Sequence, residues 1–471
     1  MDERASGPLP VAPSLAPAMA WSGVRPQRTH PVRRLGSLCV LTAALGVIAA
    51  VAAGALAQLI ALMTNLAWHG RWSVAAVEPD PRALGWWSLL VPVAGGLIVG
   101  CMARFGSAAI RGHGIPEAME QVLRNRSRIA PRMVVLKPLS AAIAIGTGGP
   151  FGAEGPIIAT GGALGSCLGQ MLRVTADERR VLLAAGAAGG MAATFGTPLS
   201  AVLLAVELLL FEYRTRSFIP VAISAAVAAG LHALLSGGGP VIPIDLAIAL
   251  DPADLPGIAA IGLACGAVAT AATRAVYATE DAFARLPVHW MWWPAIGGLA
   301  VGIAGMVEPR ALGIGYANLA DAANGRLAGM ALAALLVWKS FAWVLALGSG
   351  TSGGTLAPLL TIGGCVGASL AGVLHVPVPI AAVCGMAAVF AGSSHAVLAS
   401  AIFVAEATRQ TPVAGAALLA CALSWLVASR LAKHSIMVEK IARRGVVIPG
   451  QQESDPGELE EATLRFRRPR G

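Results

Sequence analysis

The chain has 471 residues, of which 56% are hydrophobic and only 13% charged, with a formal net charge of +9 and a mean hydropathy of +0.70. So few charges among so many apolar residues exclude an ordinary soluble domain and point to a membrane protein. The positive balance does not mark a nucleic-acid binder, because the basic residues gather at helix ends and tails, as the positive-inside rule expects.

Residues 1–34 are polar and proline-rich and carry Arg25, Arg28, Arg33 and Arg34; they are expected to form a disordered cytoplasmic tail. The apolar stretch after them is too long for the core of a cleavable signal. Apolar runs follow at Leu35–Leu66, Leu84–Met102, Val181–Val206, Ile258–Ala272, Leu327–Leu347 and Val413–Val427. Most approach or exceed the roughly 20 residues that span a bilayer, and the shorter ones suggest tilted and re-entrant helices. Arg124, Arg126, Arg128 and Arg132 mark a further cytoplasmic loop. The break Ser236-Gly237-Gly238-Gly239-Pro240 divides one membrane domain, 35–447, into halves of about 35–236 and 252–447. A second cytoplasmic tail, 448–471, closes the chain. The seven cysteines are scattered through apolar segments without metal-ligand spacing, so neither a metal, a cofactor nor a disulfide is expected.

The two halves repeat each other. Gly146, Gly148, Gly152, Pro156, Gly161, Gly162 and Gly165 return 202 positions later as Gly348, Gly350, Gly354, Pro358, Gly363, Gly364 and Gly367, and Lys137 returns as Lys339. The core Gly190-Met191-Ala192-Ala193-Thr194-Phe195 returns at an offset of 195 as Gly385-Met386-Ala387-Ala388-Val389-Phe390. Each of these cores leads to a short apolar helix with a glutamate near its end, Glu207 and Glu406. A duplication of this kind in a membrane chain predicts broken helices meeting at a midplane ligand site.

Three glycine-rich breaks open apolar helices: Gly112-His113-Gly114-Ile115-Pro116, Gly152-Ala153-Glu154-Gly155-Pro156 and Gly354-Thr355-Leu356-Ala357-Pro358. Proline fits the first helical turn, where its missing N–H has no partner to lose. Helix N-termini present free N–H groups and about half a positive charge, so three of them converging would hold an anion without a fixed cation. Glu154 sits in the second break. As a bland reading it caps its helix. As a functional one its carboxylate competes with a transported anion for the same amides. The repeat and the neighbouring breaks favour the second reading. Lys137 either adds positive potential beneath the site or snorkels to a helix end.

These motifs resemble those of the CLC chloride channels and proton/chloride exchangers: Gly-Ser-Gly-Ile-Pro, Gly-Lys/Arg-Glu-Gly-Pro and Gly-x-Phe-x-Pro. The resemblance covers residues 35–447, and Ser435–Lys440 resembles the region of the family's last helix. It implies an all-α integral membrane fold with an inverted-topology repeat, a homodimer in the lipid bilayer of the bacterial inner membrane, and one anion pathway per subunit. Glu154 would be the gate, and chloride or a similar small anion, with or without protons, the cargo. Several family features are replaced. His113 stands where the family has a serine, Met437 where it has a tyrosine, Leu356 where it has a phenylalanine, and Ala153 where it has a basic residue. Exchangers carry an inner glutamate directly after the position of Glu207; here it is Leu208. That favours a channel or weak proton coupling over a full proton/chloride antiporter. Glu207 is expected to play a structural part, and Glu212 an interfacial ion pair with Arg214 and Arg216. A fluoride-selective relative ranks third, and nitrate is a further possible cargo.

One enzyme reading remains. Gly350-Thr351-Ser352-Gly353 fits the Gly-x-Ser-Gly pattern of intramembrane proteases, with His395 as a base. It explains neither Glu154 nor the duplication. Ser352→Ala is expected to leave anion flux nearly intact, and loss of flux in liposomes would count against the transport reading.

Overall fold

The computed structural model describes residues 32–172, 174–245 and 250–445, so the expected tails at 1–31 and 446–471 lie outside the described residues. Among the described residues, sixteen helices of eight or more residues run in two series of eight. The first series is α1 (Val32–Thr64), α2 (Leu90–Cys101), α3 (Ile115–Arg124), α4 (Met133–Gly146), α5 (Glu154–Met171), α6 (Ala176–Phe195), α7 (Pro198–Ala205) and α8 (Thr215–Ser236). The second is α9 (Leu255–Ala284), α10 (Trp293–Val307), α11 (Tyr316–Ala323), α12 (Gly329–Gly348), α13 (Leu356–Leu374), α14 (Val378–Ser394), α15 (Val397–Thr408) and α16 (Ala414–Leu431). Each member of the first series has its repeat mate in the second. Eight segments among the described residues are long and apolar enough to cross a membrane.

The chain departs from its hydropathy in one place. The run Val181–Val206 is not one span. Gly196, at φ 64°, ends α6 in the left-handed region, and Pro198 starts α7. The first helix, α1, starts at Val32. Arg34 is tied there to Glu178 in the first turn of α6, with Nη2 donating to Oε2 at 2.8 Å. That guanidinium, through its hydrogen bonds, holds the Glu178 carboxyl down at about 2.

Packing explains the repeated glycines. A Cβ on Gly161 would lie 2.1 Å from the Gly186 carbonyl oxygen, and one on Gly165 would lie 2.0 Å from that of Leu182. Their mates behave alike: Gly363 would meet the Gly385 oxygen at 2.3 Å and Gly367 the Ala381 oxygen at 2.0 Å. The α5–α6 and α13–α14 pairs therefore touch backbone to backbone, the close approach that small residues permit between membrane helices. This sinks α13 into the protein. In its most apolar window 72% of residues are buried, against 28–44% in the other seven candidate spans.

The halves also cap each other. Glu406, near the end of α15, accepts the Leu199 and Ser200 amides of α7 at 3.0 and 2.8 Å. Its mate Glu207, in the π-helical turn Val206–Leu210 after α7, turns its carboxylate toward the Leu398 and Ala399 amides of α15. Glu406 satisfies orphan N–H groups at the other half's helix start, and Glu207 faces the corresponding start of α15.

Gly161→Ala is expected to destabilise the fold by about 1–3 kcal/mol, because the α5–α6 backbones must part. Gly54→Ala, whose methyl would meet nothing within 4 Å, is expected to be neutral or slightly stabilising. Thermal unfolding in detergent compares them, and equal midpoints would refute the packing account.

Candidate functional site

The N-termini of α3, α5 and α13 meet at one point. The strands of chain before them are stitched by backbone hydrogen bonds. Gly152 and Gly354 exchange theirs, Gly152 N–H donating at 3.2 Å and Gly354 N–H at 3.0 Å. Gly112 N–H donates to the Thr351 carbonyl at 3.3 Å, and Gly353 N–H to the Gly112 carbonyl at 3.4 Å. The approach tolerates no side chain. A Cβ on Gly155 would lie 2.0 Å from the His113 carbonyl oxygen, and one on Gly354 would lie 2.4 Å from that of Gly152.

This stitching sorts the expected anion-binding residues. Gly112, Gly152 and Gly354 spend their amides on the chain itself, and Gly114 N–H donates to Glu117 Oε2 at 2.6 Å. Those four shape the site and do not donate to a ligand, while Pro116, Pro156 and Pro358 have no N–H to give. Neither Ala153 nor Thr355 caps its helix with a side chain. The first amides of α5 and α13, at Glu154, Gly155, Leu356 and Ala357, are therefore the free donors that helix geometry leaves.

Glu154 is completely buried at this junction. Its Oε1 accepts from the Tyr316 hydroxyl at 2.7 Å. Its Oε2 has no hydrogen-bond partner of good geometry, and the carboxylate folds back over Gly152 toward its own amide and that of Ala357. It fills the space where a small anion would meet the same N–H groups.

His113 is buried, and its Nδ1 has no partner. The expected serine hydroxyl is thus replaced by a ring nitrogen left open. Met437 is fully buried on the closing segment, which is held by Ile436 N–H donating to Ser393 O at 2.8 Å and Tyr277 Oη donating to Ile436 O at 2.7 Å. Leu356 packs in the core. Lys137 does not snorkel. It is buried and donates to the carbonyls of Ile110 and Gly112 at 2.8 Å each, which places its charge behind the α3 break. Lys339 repeats this, donating to Gly313 O at 2.7 Å.

Leu208 is buried beside Glu207, whose Oε2 lacks a partner. Glu212 pairs with Arg180 at 3.1 Å and Arg214 at 3.2 Å, while the expected partner Arg216 lies instead 4.0 Å from Asp177. Ser352 is buried and accepts from Ser140 Oγ at 3.0 Å.

Several residues escaped the sequence reading. Gly313-Ile314-Gly315-Tyr316 is a fourth break, opening α11, and it lies 201 positions after Gly112-His113-Gly114-Ile115. The Gly-x-Gly spacing was the available signal, but the missing proline hid it. Tyr316, Gly315, Arg310 and Glu78 line a cavity of about 180 Å³ beside the start of α11. A second cavity, of about 420 Å³, lies beside α3 and is lined by Arg111, Glu117, Lys440 and Arg444. Arg111 is held there against Trp290 and Trp293, 4.8 and 5.4 Å from their ring centres. Lys440 pairs with Glu117 at 3.1 Å and docks the closing segment on α3.

The arrangement is a buried junction of helix N-termini with a carboxylate across it. A family model described as voltage gated chloride channel matches residues 94–429. A ClcB-like chloride channel protein of Ralstonia nicotianae is 28% identical over 405 residues, covering 83% of this chain and 94% of its own. ClcB of Escherichia coli, a voltage-gated ClC-type chloride channel, is 27% identical over 370 residues, covering 76% and 88%. The solved structure of a slow cyanobacterial Cl−/H+ antiporter superposes with a TM-score of 0.76 at 24% identity, covering 88% of this chain and 98% of its own, which fixes the fold. The match spans most of both halves, and with it the chain belongs to the voltage-gated chloride channel family, a family of anion transport proteins and not of enzymes.

Proposed function

We propose that the chain passes chloride or a similar small anion across the bacterial inner membrane, through the junction of α3, α5 and α13, with Glu154 as the gate. The observation that carries this is the buried Glu154 carboxylate lying against the amides an anion would use. Ionised, it occupies the site; protonated or displaced, it yields the amides of Glu154, Gly155, Leu356 and Ala357 to the anion. His113 Nδ1–H would supply the side-chain donor, in place of the hydroxyls that Met437 and His113 replace. Lys137 adds positive potential from behind. The α3 cavity is the cytoplasmic mouth and the α11 cavity the outer one, with both chain ends cytoplasmic. The functional unit is a homodimer with one pathway per subunit.

Transport is channel-like or weakly proton-coupled, because Leu208 removes an acid from the turn beneath the gate. Relatives named as chloride channels support this. The second reading, proton/chloride exchange, rests on Glu207 Oε2, which has no partner and is free to take a proton.

Chloride and pH recorded together from liposomes decide between them. Wild-type protein is expected to release chloride with little or no proton movement, and Glu154→Ala to release it faster. Proton uptake in wild type that vanishes in Glu154→Ala would establish exchange. Fluoride flux without chloride flux in either protein would overturn the chloride assignment. His113→Ala is expected to lower chloride flux several-fold, on the order of one lost hydrogen bond. An unchanged flux would remove His113 from the pathway.

A further inference from the structure

The gate carboxylate is held by a residue of the other half. Tyr316 opens α11 after Gly313 and Gly315, both at positive φ (61° and 79°), as Ile115 opens α3 after Gly112 and Gly114 (103° and 93°). Where the first half places an apolar residue, the second places a phenol. Its hydroxyl donates to Glu154 Oε1 at 2.7 Å, in the range of a good hydrogen bond from O–H.

The phenol is not free to wander. Lys339 pins the loop before it through the Gly313 carbonyl at 2.7 Å. Asn318, in the first turn of α11, ties back to the Arg310 carbonyl at 2.8 Å. The Tyr316 ring stands edge-on to Phe195 at 5.9 Å, and Phe195 stands edge-on to Phe403 at 5.0 Å. Phe195 is the last residue of α6 and Phe403 lies in α15, so elements from both halves fix the ring. Tyr316 also lines the α11 cavity, which puts the bond between that cavity and the gate.

We propose that Tyr316 is the latch of the gate: a positioning residue whose hydroxyl holds the ionised Glu154 carboxylate across the pathway. This rests on the reading of Glu154 as the gate. A phenol proton stabilises the charged carboxylate more than the neutral acid. The latch therefore favours the closed state and sets the pH at which the gate lets go.

The test is flux from liposomes across a pH series in four proteins: wild type, Tyr316→Phe, Glu154→Ala and the double variant. Phenylalanine keeps the ring on Phe195 and removes only the hydroxyl. Tyr316→Phe is expected to raise flux on the order of tenfold at neutral and alkaline pH, the loss of one hydrogen bond to a charged group. Its pH profile is expected to move about one unit toward higher pH. In the Glu154→Ala background the same change is expected to alter flux by less than about twofold.

An equal rise in both backgrounds would make Tyr316 a steric plug and overturn the latch. No change in either would also overturn it. If Glu154→Ala leaves flux and its pH dependence untouched, the gate reading itself fails, and this outcome is distinct from the other two. Should Tyr316→Phe not run as a single species on gel filtration, 3-fluorotyrosine placed at position 316 keeps the shape and strengthens the donor. It is expected to move the profile to lower pH, and an unmoved profile would refute the proposal.

Discussion

Helices can end inside a membrane only if their unpaired backbone groups find partners there, because each unsatisfied group costs several kcal/mol in hydrocarbon. The junction of α3, α5 and α13 is built around that constraint. Part of the need is met by the chain, through the reciprocal Gly152–Gly354 pair and the Gly112 bridge. The rest is left for a ligand, or for Glu154 in its place. Glycine at these positions is a steric requirement: a methyl on Gly155 would collide with the backbone carrying His113. The junction is therefore a product of how closely three backbones approach, and the helix ends they present carry the partial positive charge that would favour an anion.

The same constraint repeats at the periphery and binds the two halves together. Glu406 accepts the first amides of α7 from the opposite half, and Glu207 turns its carboxylate to the start of α15. Lys137 and Lys339 each give their ammonium protons to the carbonyls of a glycine break, behind α3 and behind α11. A buried ammonium is costly unless its protons are bonded, and here carbonyl groups already oriented by the breaks accept them. Each lysine thereby stiffens one loop. The Lys137 loop carries His113, and the Lys339 loop leads into Tyr316. An interaction that reads as structural in each half sets the aim of a side chain at the junction.

The repeat was legible in the sequence because it rests on glycine and proline, whose backbone roles leave little room for substitution. Gly161, Gly165, Gly363 and Gly367 stood out for that reason, and the packing distances account for each. Glu154 was legible as a lone acid in an apolar stretch. Three things were not. The division of Val181–Val206 depends on Gly196 adopting the left-handed region, which hydropathy does not register. The α11 break lacks the proline that marked the others. Arg111, Glu117 and Lys440 act through partners far away in the chain, so no local pattern could assign them; Glu117 and Lys440 are 323 positions apart. Side-chain partnerships across the halves are the part of the site that sequence spacing does not encode.

Leu208 raises the question of how a proton could cross at all. The turn Val206–Leu210 holds one acid, Glu207, and its carboxylate faces the start of α15. A capping carboxylate that had to swing would break the contact between halves. Yet only one oxygen is needed for the cap, and Oε2 has no partner. A proton arriving on Oε2 would leave the capping oxygen as an acceptor, weakened but in place. The residue can therefore hold the halves together in either protonation state. A proton route through this turn would need water to reach Glu207 Oε2 past the buried Leu208.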